Sequence, residues 1–384
     1  MRGAVRIATL RGIPIRLHYS FLLVLPVLAW LFSQAFRNAA EAADVPPERL
    51  LGHPLAWGLG LVVALFLSVL VHELAHSFYA LRKGGQVSDI TLMMIGGVSR
   101  ITRMPEGPRQ EALMALVGPL TSLALGGLFL AAYTLLAGAR SFNLQFAVFY
   151  LGSLNVFLGF FNLLPAFPMD GGRILRSLLS VRLGRVRATQ VAGGVGKAFA
   201  VLFGLLGLVS GNFVLVLIAA FVFLGAASES REVLMQSLLA RVRVREVMVP
   251  RTASVEAEDS LEEVAARLRT ERRRALPVRE EGRVVGLVTL AAVRQVPAAR
   301  RSQVRVREVA LPVPTLTPES TAWDALRELG QRRLPQLPVV LEDGTLAGTL
   351  TQDDVMRGLE LRELEDTPRS GPWGLGPRER ESPT

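Results

Sequence analysis

The chain has 384 residues, of which 50% are hydrophobic and only 20% are charged, and its mean hydropathy is +0.37. This composition is too apolar for an ordinary soluble protein, and the absence of cysteine excludes disulfides, thiolate metal sites and thiol nucleophiles. The net charge of +10 lies mostly before residue 231, in short loops between apolar runs, so it predicts a protein of the lipid bilayer and no nucleic-acid partner.

Long apolar runs predict membrane-spanning helices in the first 230 residues. The runs are residues 21–33, 54–71, 112–139, 144–169 and 198–228. A spanning helix needs about 20 apolar residues, so each of the first four runs predicts one span. Arginines flank the last run on both sides, which requires it to cross twice, with a break at 210–212. We expect six spans in a cytoplasmic membrane, with both termini cytoplasmic and residues 37–53 outside; a single crossing of 198–228 is the alternative.

A short β insertion is predicted between the second and third spans. Residues 87–101 are rich in β-branched side chains and are interrupted by Gly96 and Gly97. This pattern is typical of a hairpin of two short strands rather than of a helix, and a plain connecting loop is the alternative.

After residue 230 the composition is that of a soluble α+β module with an internal repeat. Residues 242–247 and 304–309 share the sequence VRVREV at an offset of about 62 residues. Each copy has a helical stretch, at 261–270 or 322–332, followed by two short strands around a glycine-containing turn. The predicted domains are, in chain order, a membrane domain at 1–230, a first repeat at 241–300, a second repeat at 301–362 and a disordered tail at 366–384.

The segment from His72 to His76 carries the strongest chemical signal. Its sequence is His-Glu-Leu-Ala-His, and the chain has only four histidines. Histidines four residues apart lie on one face of a helix, where two imidazoles can bind one Zn²⁺ ion, and Glu73 between them can accept a proton from a water molecule that the metal activates. Ionisable groups at membrane depth are costly and are usually functional. The structural alternative is a pair of hydrogen-bonded core histidines beside a buried Glu73.

A catalytic zinc site needs a third protein ligand and one open position. Cysteine is absent, and His18 and His53 stand alone near the ends of spans. Among the few acidic residues of the membrane domain, only Asp170 follows a long apolar helix that should end at the depth of His72 and His76. Asp170 is therefore the predicted third ligand.

Two prolines precede Asp170 and predict how its carboxylate is aimed. Pro165 and Pro168 end the fourth span just before it, since proline interrupts a helix. We expect an unwound segment at this point, with Gly171 and Gly172 permitting a turn.

Asn162 lies about one turn before this break. Its amide could hold a substrate carbonyl or an oxyanion, which makes it a candidate substrate-binding residue. It could equally hydrogen-bond the backbone groups that are freed near Pro165, and the chemistry alone leaves both possibilities open.

The order of these motifs resembles the site-2 protease family of intramembrane zinc metalloproteases. The resemblance covers about residues 10–230 and rests on the segments 72–76, 96–98, 118–122 and 162–173. It implies Zn²⁺ held by His72, His76 and Asp170, with Glu73 as the general base. It also implies that strands such as 87–101 present an unwound substrate. We expect that substrate to be a single-span membrane protein, because its scissile bond must reach a site within the bilayer.

The two repeats resemble a tandem pair of cystathionine-β-synthase (CBS) domains, and such pairs often bind adenine nucleotides. The ribose-binding element of the family, Gly-x-x-Thr-x-x-Asp, matches Gly348, Thr351 and Asp354 in the second repeat. In the first repeat Ala292 stands where the carboxylate should be. The resemblance therefore implies at most one site for ATP, ADP or AMP. A purely structural module, or one that forms a homodimer, is the alternative.

Together these features predict a zinc-dependent intramembrane endopeptidase that a cytoplasmic CBS pair regulates. Two other classes stay open, a CBS-regulated channel or transporter and a zinc-binding membrane scaffold without proteolytic activity. A channel would carry charges along several spans, whereas the deep ionisable groups of this chain cluster on one helix. Zinc content would separate the enzyme from the channel, and cleavage of a single-span protein would separate it from the scaffold.

Overall fold

The computed structural model describes residues 3–94, 96–104, 107–136 and 141–366. The chain forms two compact units, and the division between them falls between Val233 and Leu234. The first unit holds the long apolar helices, and the second holds the soluble repeats. The tail predicted to be disordered comprises residues 366–384. Apart from residue 366, it lies outside the described residues.

Six helices among the described residues are long and apolar enough to cross a membrane. They are α1 (Tyr19–Ala42), α2 (Pro54–Arg82), α3 (Pro108–Leu135), α4 (Phe142–Leu163), α6 (Arg185–Val209) and α7 (Phe213–Leu239). A shorter helix, α5 (Asp170–Leu183), lies between α4 and α6 in the chain. The prediction of six membrane helices is confirmed, and residues 198–228 contribute to two of them.

The break between α6 and α7 has a local cause. Gly211 has a φ of +66°, a left-handed conformation that glycine adopts without steric cost. The side chain of Asn212 then accepts a hydrogen bond from the backbone NH of Leu215 at 3.2 Å, which caps the start of α7. The chain therefore stops one helix and starts the next within three residues.

A four-stranded sheet packs beside α2. Its strands are β1 (Ala4–Leu10), β2 (Ile13–His18), β3 (Gln86–Met93) and β4 (Gly96–Arg103), in the order β1-β2-β3-β4. β2 and β3 are parallel, whereas the other two pairs are antiparallel. The predicted hairpin at 87–101 is thus confirmed as β3 and β4. Strands β1 and β2 were not predicted, because arginines interrupt their apolar residues. Arg11 and Gly12 between them have the positive φ angles of a tight hairpin turn.

Small residues and aromatic side chains hold the helices around α2. A Cβ atom on Gly58 of α2 would lie 2.1 Å from the carbonyl oxygen of Ala29 in α1, so the two helix backbones are in direct contact. Further along, Phe21 of α1 packs edge-to-face on Phe66 of α2, with ring centroids 4.5 Å apart. These contacts fix the position of α2, the helix that carries both predicted histidine ligands.

The soluble unit contains two three-stranded sheets, ordered β6-β7-β8 and β5-β10-β9. Its elements are α8 (Val244–Val247), β5 (Val249–Pro250), β6 (Val255–Glu256), α9 (Leu261–Thr270), β7 (Ala275–Glu280), β8 (Arg283–Thr289), α10 (Leu290–Gln295), α11 (Ala322–Arg332), β9 (Leu337–Val340), β10 (Leu346–Leu350) and α12 (Gln352–Asp366). The predicted helices at 261–270 and 322–332 are present as α9 and α11. The unit has two apolar cores that cross the boundary between the repeats: Val244 and Val247 pack in the core of the second repeat, and Val306 packs in the core of the first. The predicted mixed α/β module is confirmed.

Candidate metal centre and active site

His72 and His76 lie one turn apart on α2 and are both buried, each with 5% of its surface exposed. Their Nε2 atoms are 3.1 Å apart and face the same point. This arrangement follows from the helix itself, since residues four apart share a face.

Asp170 completes the cluster from a distant part of the chain. Its Oδ2 atom lies 3.2 Å from Nε2 of His72 and 3.1 Å from Nε2 of His76. Asp170 is the first residue of α5, and the irregular segment between α4 and α5 brings it there. The sequence thus located the break correctly, and the structure brings all three predicted ligands together.

The expected role of Gly171 and Gly172 as turn residues is wrong. Both belong to α5, and neither has a positive φ. They are small because the chain is tightly packed at this point: a Cβ atom would lie 2.2 Å from the carbonyl oxygen of Leu164 at Gly171 and 2.5 Å from Ala166 at Gly172. The two glycines therefore let the first turn of α5 fold back against the segment that precedes it.

The three ligand atoms fit a zinc ion. Tetrahedral ligands at about 2.0–2.1 Å from Zn²⁺ lie about 3.3 Å from one another, close to the observed separations of 3.1–3.2 Å. Two imidazole nitrogens and one carboxylate oxygen are also a donor set that zinc prefers, and three protein ligands leave a fourth position open.

The outer nitrogens of the two imidazoles are held by α3. Nδ1 of His76 donates to the backbone carbonyl of Met114 at 2.6 Å, and Nδ1 of His72 lies 2.9 Å from the hydroxyl of Ser122. A carbonyl oxygen only accepts, so a neutral His76 carries its lone pair on Nε2, toward the carboxylate of Asp170. With His76 neutral, this lone pair and the carboxylate of Asp170 face the same point, which is the donor arrangement that a metal ion needs.

Gly118 lets α3 approach the ligands closely. A Cβ atom at this position would lie 2.2 Å from Nε2 of His76 and 2.7 Å from Nε2 of His72. Gly118 and Ser122 lie in the segment 118–122 that carries the family resemblance, but their roles here, and that of Met114, were not predicted because they depend on how α3 packs on α2.

The carboxylate of Glu73 contacts strand β4. Its Oε2 atom accepts hydrogen bonds from the hydroxyl of Ser99 at 2.6 Å and from the backbone NH of Ser99 at 3.0 Å. The strand comes close because residue 97 is glycine: a Cβ atom there would lie 2.5 Å from Cγ of Glu73. Glu73 is thus fixed beside the metal cluster by the hairpin that the sequence predicted.

A cavity of about 400 Å³ adjoins the three ligands, Glu73 and the segment Gly97–Ser99. Asn162, the candidate substrate-binding residue, also lines it. The amide nitrogen of Asn162 donates to the carbonyl of Leu158 at 2.9 Å, so it bonds its own helix one turn back rather than the groups freed near Pro165.

Two arginines that the sequence placed in a cytoplasmic flank belong to the site or its support. Arg173 lines the same cavity. Arg176 is 2% exposed and pairs with Glu229 of α7 at 2.6 Å and with Glu111 of α3. A fully buried arginine needs such partners, and the pairs connect α5, which begins with Asp170, to two other helices.

The remaining histidines are explained by helix capping. Nδ1 of His18 accepts from the backbone NH of Ser20 at the start of α1, and Nδ1 of His53 accepts from Leu55 at the start of α2, both at 3.2 Å. All four histidines of the chain are therefore accounted for, and only His72 and His76 have the geometry of metal ligands.

Thr351 and Asp354, the candidate nucleotide-binding residues, lie together at the start of α12. Oδ2 of Asp354 accepts from the hydroxyl of Thr351 at 2.6 Å and from its backbone NH at 2.9 Å. In the first repeat, Thr289 caps α10 through the backbone NH of Ala292, and no carboxylate stands there. The two repeats therefore share the threonine cap and differ in the acid, as the sequence indicated.

Comparison with known proteins identifies the family. A zinc metalloprotease of Methanocaldococcus jannaschii is 30% identical over 370 residues, which is 95% of this chain and 99% of that protein. The Rip3 protein of Mycobacterium tuberculosis is 35% identical over 385 residues and 95% of each chain. The model of peptidase family M50 matches residues 60–148 and 137–205, a region that contains His72, His76 and Asp170. The chain belongs to peptidase family M50, the site-2 proteases.

Membership of family M50 makes this multi-pass membrane protein a zinc metalloprotease, and the resemblance drawn from the sequence motifs is confirmed. The CBS domain model matches residues 244–298 and 306–361, so the M50 protease carries a tandem CBS pair. Among solved structures, the site-2 protease from Methanocaldococcus jannaschii is 34% identical and covers 59% of this chain and 95% of its own, with a TM-score of 0.43.

Proposed function

We propose that this M50 protease cleaves membrane-spanning segments of single-span proteins. The observation that carries the proposal is the position of the metal cluster: it is buried on α2, a helix apolar enough to cross a membrane, and it adjoins a cavity that also exposes the backbone of strand β4. A buried centre at this position selects substrates that already lie in the bilayer.

We assign the zinc ligands to His72, His76 and Asp170 and the general base to Glu73. When bound, Zn²⁺ supplies Lewis-acid polarisation of the scissile carbonyl and lowers the pKa of the attacking water. Glu73 takes the proton from that water and passes it to the leaving amine. The two hydrogen bonds from Ser99 keep its carboxylate in place for both transfers.

Strand β4 supports an extended substrate. It is the last strand in the sheet order, so one of its edges has no partner strand among the described residues. A substrate helix hides its carbonyls in hydrogen bonds and must unwind before cleavage, and pairing with an open strand edge replaces the lost bonds. The apolar walls of the cavity, formed by Val69, Leu158, Phe161 and Phe221, suit the side chains of a spanning segment.

The experiment is cleavage of a designed test substrate, co-expressed with the full-length protease. It is a tagged single-span protein with a Leu-rich spanning segment and a central Gly-Pro pair, which weakens the helix. We expect the Gly-Pro version to be cleaved faster than a matched version with Ala-Ala at the centre. Equal rates would contradict the requirement for unwinding, and no cleavage of either version by a zinc-loaded protein would favour the silent scaffold.

We further propose that an adenine nucleotide regulates the protease through the second CBS repeat. Oδ2 of Asp354 accepts both hydrogen bonds from Thr351. Oδ1 has no hydrogen bond within the described part of the chain, so it can accept one from a ribose hydroxyl. The first repeat has no equivalent, so the proposal is one nucleotide per chain.

Calorimetry of the full-length protein in detergent tests this proposal. We expect ATP or AMP to bind with a stoichiometry of no more than one, and we expect Asp354→Ala to weaken binding about 10-fold or more, because a charge-assisted hydrogen bond is lost. Asp353→Ala is the matched control, since the neighbouring Asp353 is exposed. Binding that survives Asp354→Ala unchanged, or no heat with any adenine nucleotide, would leave the pair as a structural or dimer-forming module.

We also propose that the protein lies in the cytoplasmic membrane and that both of its termini are in the cytoplasm. The arginines near the ends of α2, α5 and α7 support this orientation. The orientation places residues 37–53, which include the end of α1, outside and the CBS pair inside.

Single introduced cysteines test this topology. The sequence contains no cysteine, so labelling of the protein can occur only at the introduced residue. We expect a membrane-impermeant maleimide to label Glu48→Cys in intact cells, and to label Glu258→Cys only after the cells are opened. Both positions are exposed, so accessibility differs only by the side of the membrane. External labelling of Glu258→Cys would reverse the proposed orientation of the soluble unit.

A further inference from the structure

Ser99 donates two hydrogen bonds to the carboxylate of Glu73. Its hydroxyl and its backbone NH both donate to the same carboxylate oxygen, Oε2, at 2.6 and 3.0 Å. Both donors are therefore used on one oxygen, and Oε1 is the atom of Glu73 that has no hydrogen bond among the described residues.

A second serine determines which way the hydrogen bonds at Ser99 run. The hydroxyl of Ser77, which is fully buried, donates to the hydroxyl of Ser99 at 3.2 Å. A serine hydroxyl has one hydrogen, and the carboxylate of Glu73 at 2.6 Å is a closer and more strongly accepting partner than the backbone carbonyl of Glu73 at 3.2 Å. The hydrogen bonds thus run from Ser77 through Ser99 to Glu73.

The strand also restrains the stem of the glutamate. Gly97 passes so close that a Cβ atom would lie 2.5 Å from Cγ of Glu73 and 3.1 Å from Cγ1 of Val69. A glutamate side chain with three rotatable bonds is normally mobile, and holding it in one rotamer requires contacts of this kind. Strand β4 therefore restrains both ends of the side chain.

We propose that Ser99 is the positioning residue for Glu73, and that strand β4 thereby sets the distance between the base and the substrate. The inference rests on the proposed function, in which Glu73 is the base and the open edge of β4 receives the substrate. One strand then contacts both the base and the substrate, so the register of the substrate on β4 also fixes the scissile bond relative to Oε1.

Kinetics of three variants on the Gly-Pro test substrate form the first arm of the test. We expect Ser99→Ala to lower kcat about 10- to 100-fold with KM changed less than about 2-fold, because a base displaced by about 1 Å loses rate rather than binding. Ser99→Thr keeps the hydroxyl and should restore most of the rate. Ser153→Ala is the matched control, since the hydroxyl of Ser153 donates to the carbonyl of Phe149 in its own helix. Each variant should keep one zinc per chain.

Carbodiimide labelling is the second arm and needs no catalysis. Dicyclohexylcarbodiimide modifies carboxyl groups within membranes, and mass spectrometry of the Glu73 peptide reports its rate, with Glu73→Gln as the blank. We expect labelling several-fold faster in Ser99→Ala than in the wild type or in Ser99→Thr.

Equal labelling rates in the wild type and Ser99→Ala would overturn the proposal. Zinc loss in Ser99→Ala, or a change confined to KM, would equally overturn it and make Ser99 a structural residue. Full cleavage by Glu73→Gln would instead remove the proposed role of the base, and the labelling would still show whether Ser99 holds the carboxylate.

Discussion

Replacing Glu73 by glutamine is expected to lower the cleavage rate about 10²- to 10⁴-fold while the protein keeps its zinc, because an amide cannot accept the proton from the attacking water. The three groups that form the metal cluster are unchanged in this variant, and the glutamine side chain has the same length. The hydrogen bonds from Ser99 can persist to the amide oxygen, so the side chain should remain in position.

Zinc per chain and cleavage of the test substrate are the two measurements for Glu73→Gln. Glu48→Gln is the control, since Glu48 is an exposed residue before α2. A variant that keeps its zinc but loses cleavage would distinguish the role of Glu73 as the base from the role of the three metal ligands. Cleavage by Glu73→Gln at the wild-type rate would assign the proton transfer to another group and remove Glu73 from the mechanism.

The substitution Gly118→Ala is expected to remove zinc although it changes no ligand. The added methyl group would lie 2.2 Å from Nε2 of His76, closer than atoms approach in proteins, so the imidazole must leave its position. Alanine is a better helix former than glycine by about 1 kcal/mol, so α3 itself should not be weakened. The expected result is zinc content and activity as low as in a variant that lacks a ligand.

Two comparisons make the Gly118→Ala result decisive. Asp170→Ala removes one of the three ligands and sets the level of zinc and activity that ligand loss produces. Gly127→Ala lies on the same helix, where a Cβ atom would meet nothing within 4 Å, and it should retain both zinc and activity. A Gly118→Ala protein with a full complement of zinc would show that α3 does not approach the histidines as closely as the structure indicates.

The metal ligands could be predicted from the sequence because each leaves a local trace. The spacing of His72 and His76 matches the helical period, and the prolines before Asp170 mark a helix end. The six helices, the β3–β4 hairpin and the helices of the CBS repeats were predictable for the same reason: their periodicity or composition lies within a short window of sequence.

The residues that hold those ligands could not be predicted. Met114 contacts His76 across 38 positions of sequence, and Ser122 contacts His72 across 50. Met114 contributes only a backbone carbonyl, which no sequence pattern marks. Ser122 lies in a segment that carries the family resemblance, but nothing in that segment assigns its hydroxyl to His72. Strand β2 was missed for a related reason: it pairs with β3, about 75 residues later in the chain, and β1 in turn pairs with β2.

The separation of the ligands along the chain has a consequence for how the protein matures. Asp170 lies 94 residues from His76, so the ion binds only after two distant parts of the chain have come together in the membrane. A ligand that binds only the assembled form stabilises it, by about 4 kcal/mol when the free ion exceeds its Kd a thousandfold. The supply of zinc during synthesis therefore contributes to assembly of the helix bundle, before any substrate is met.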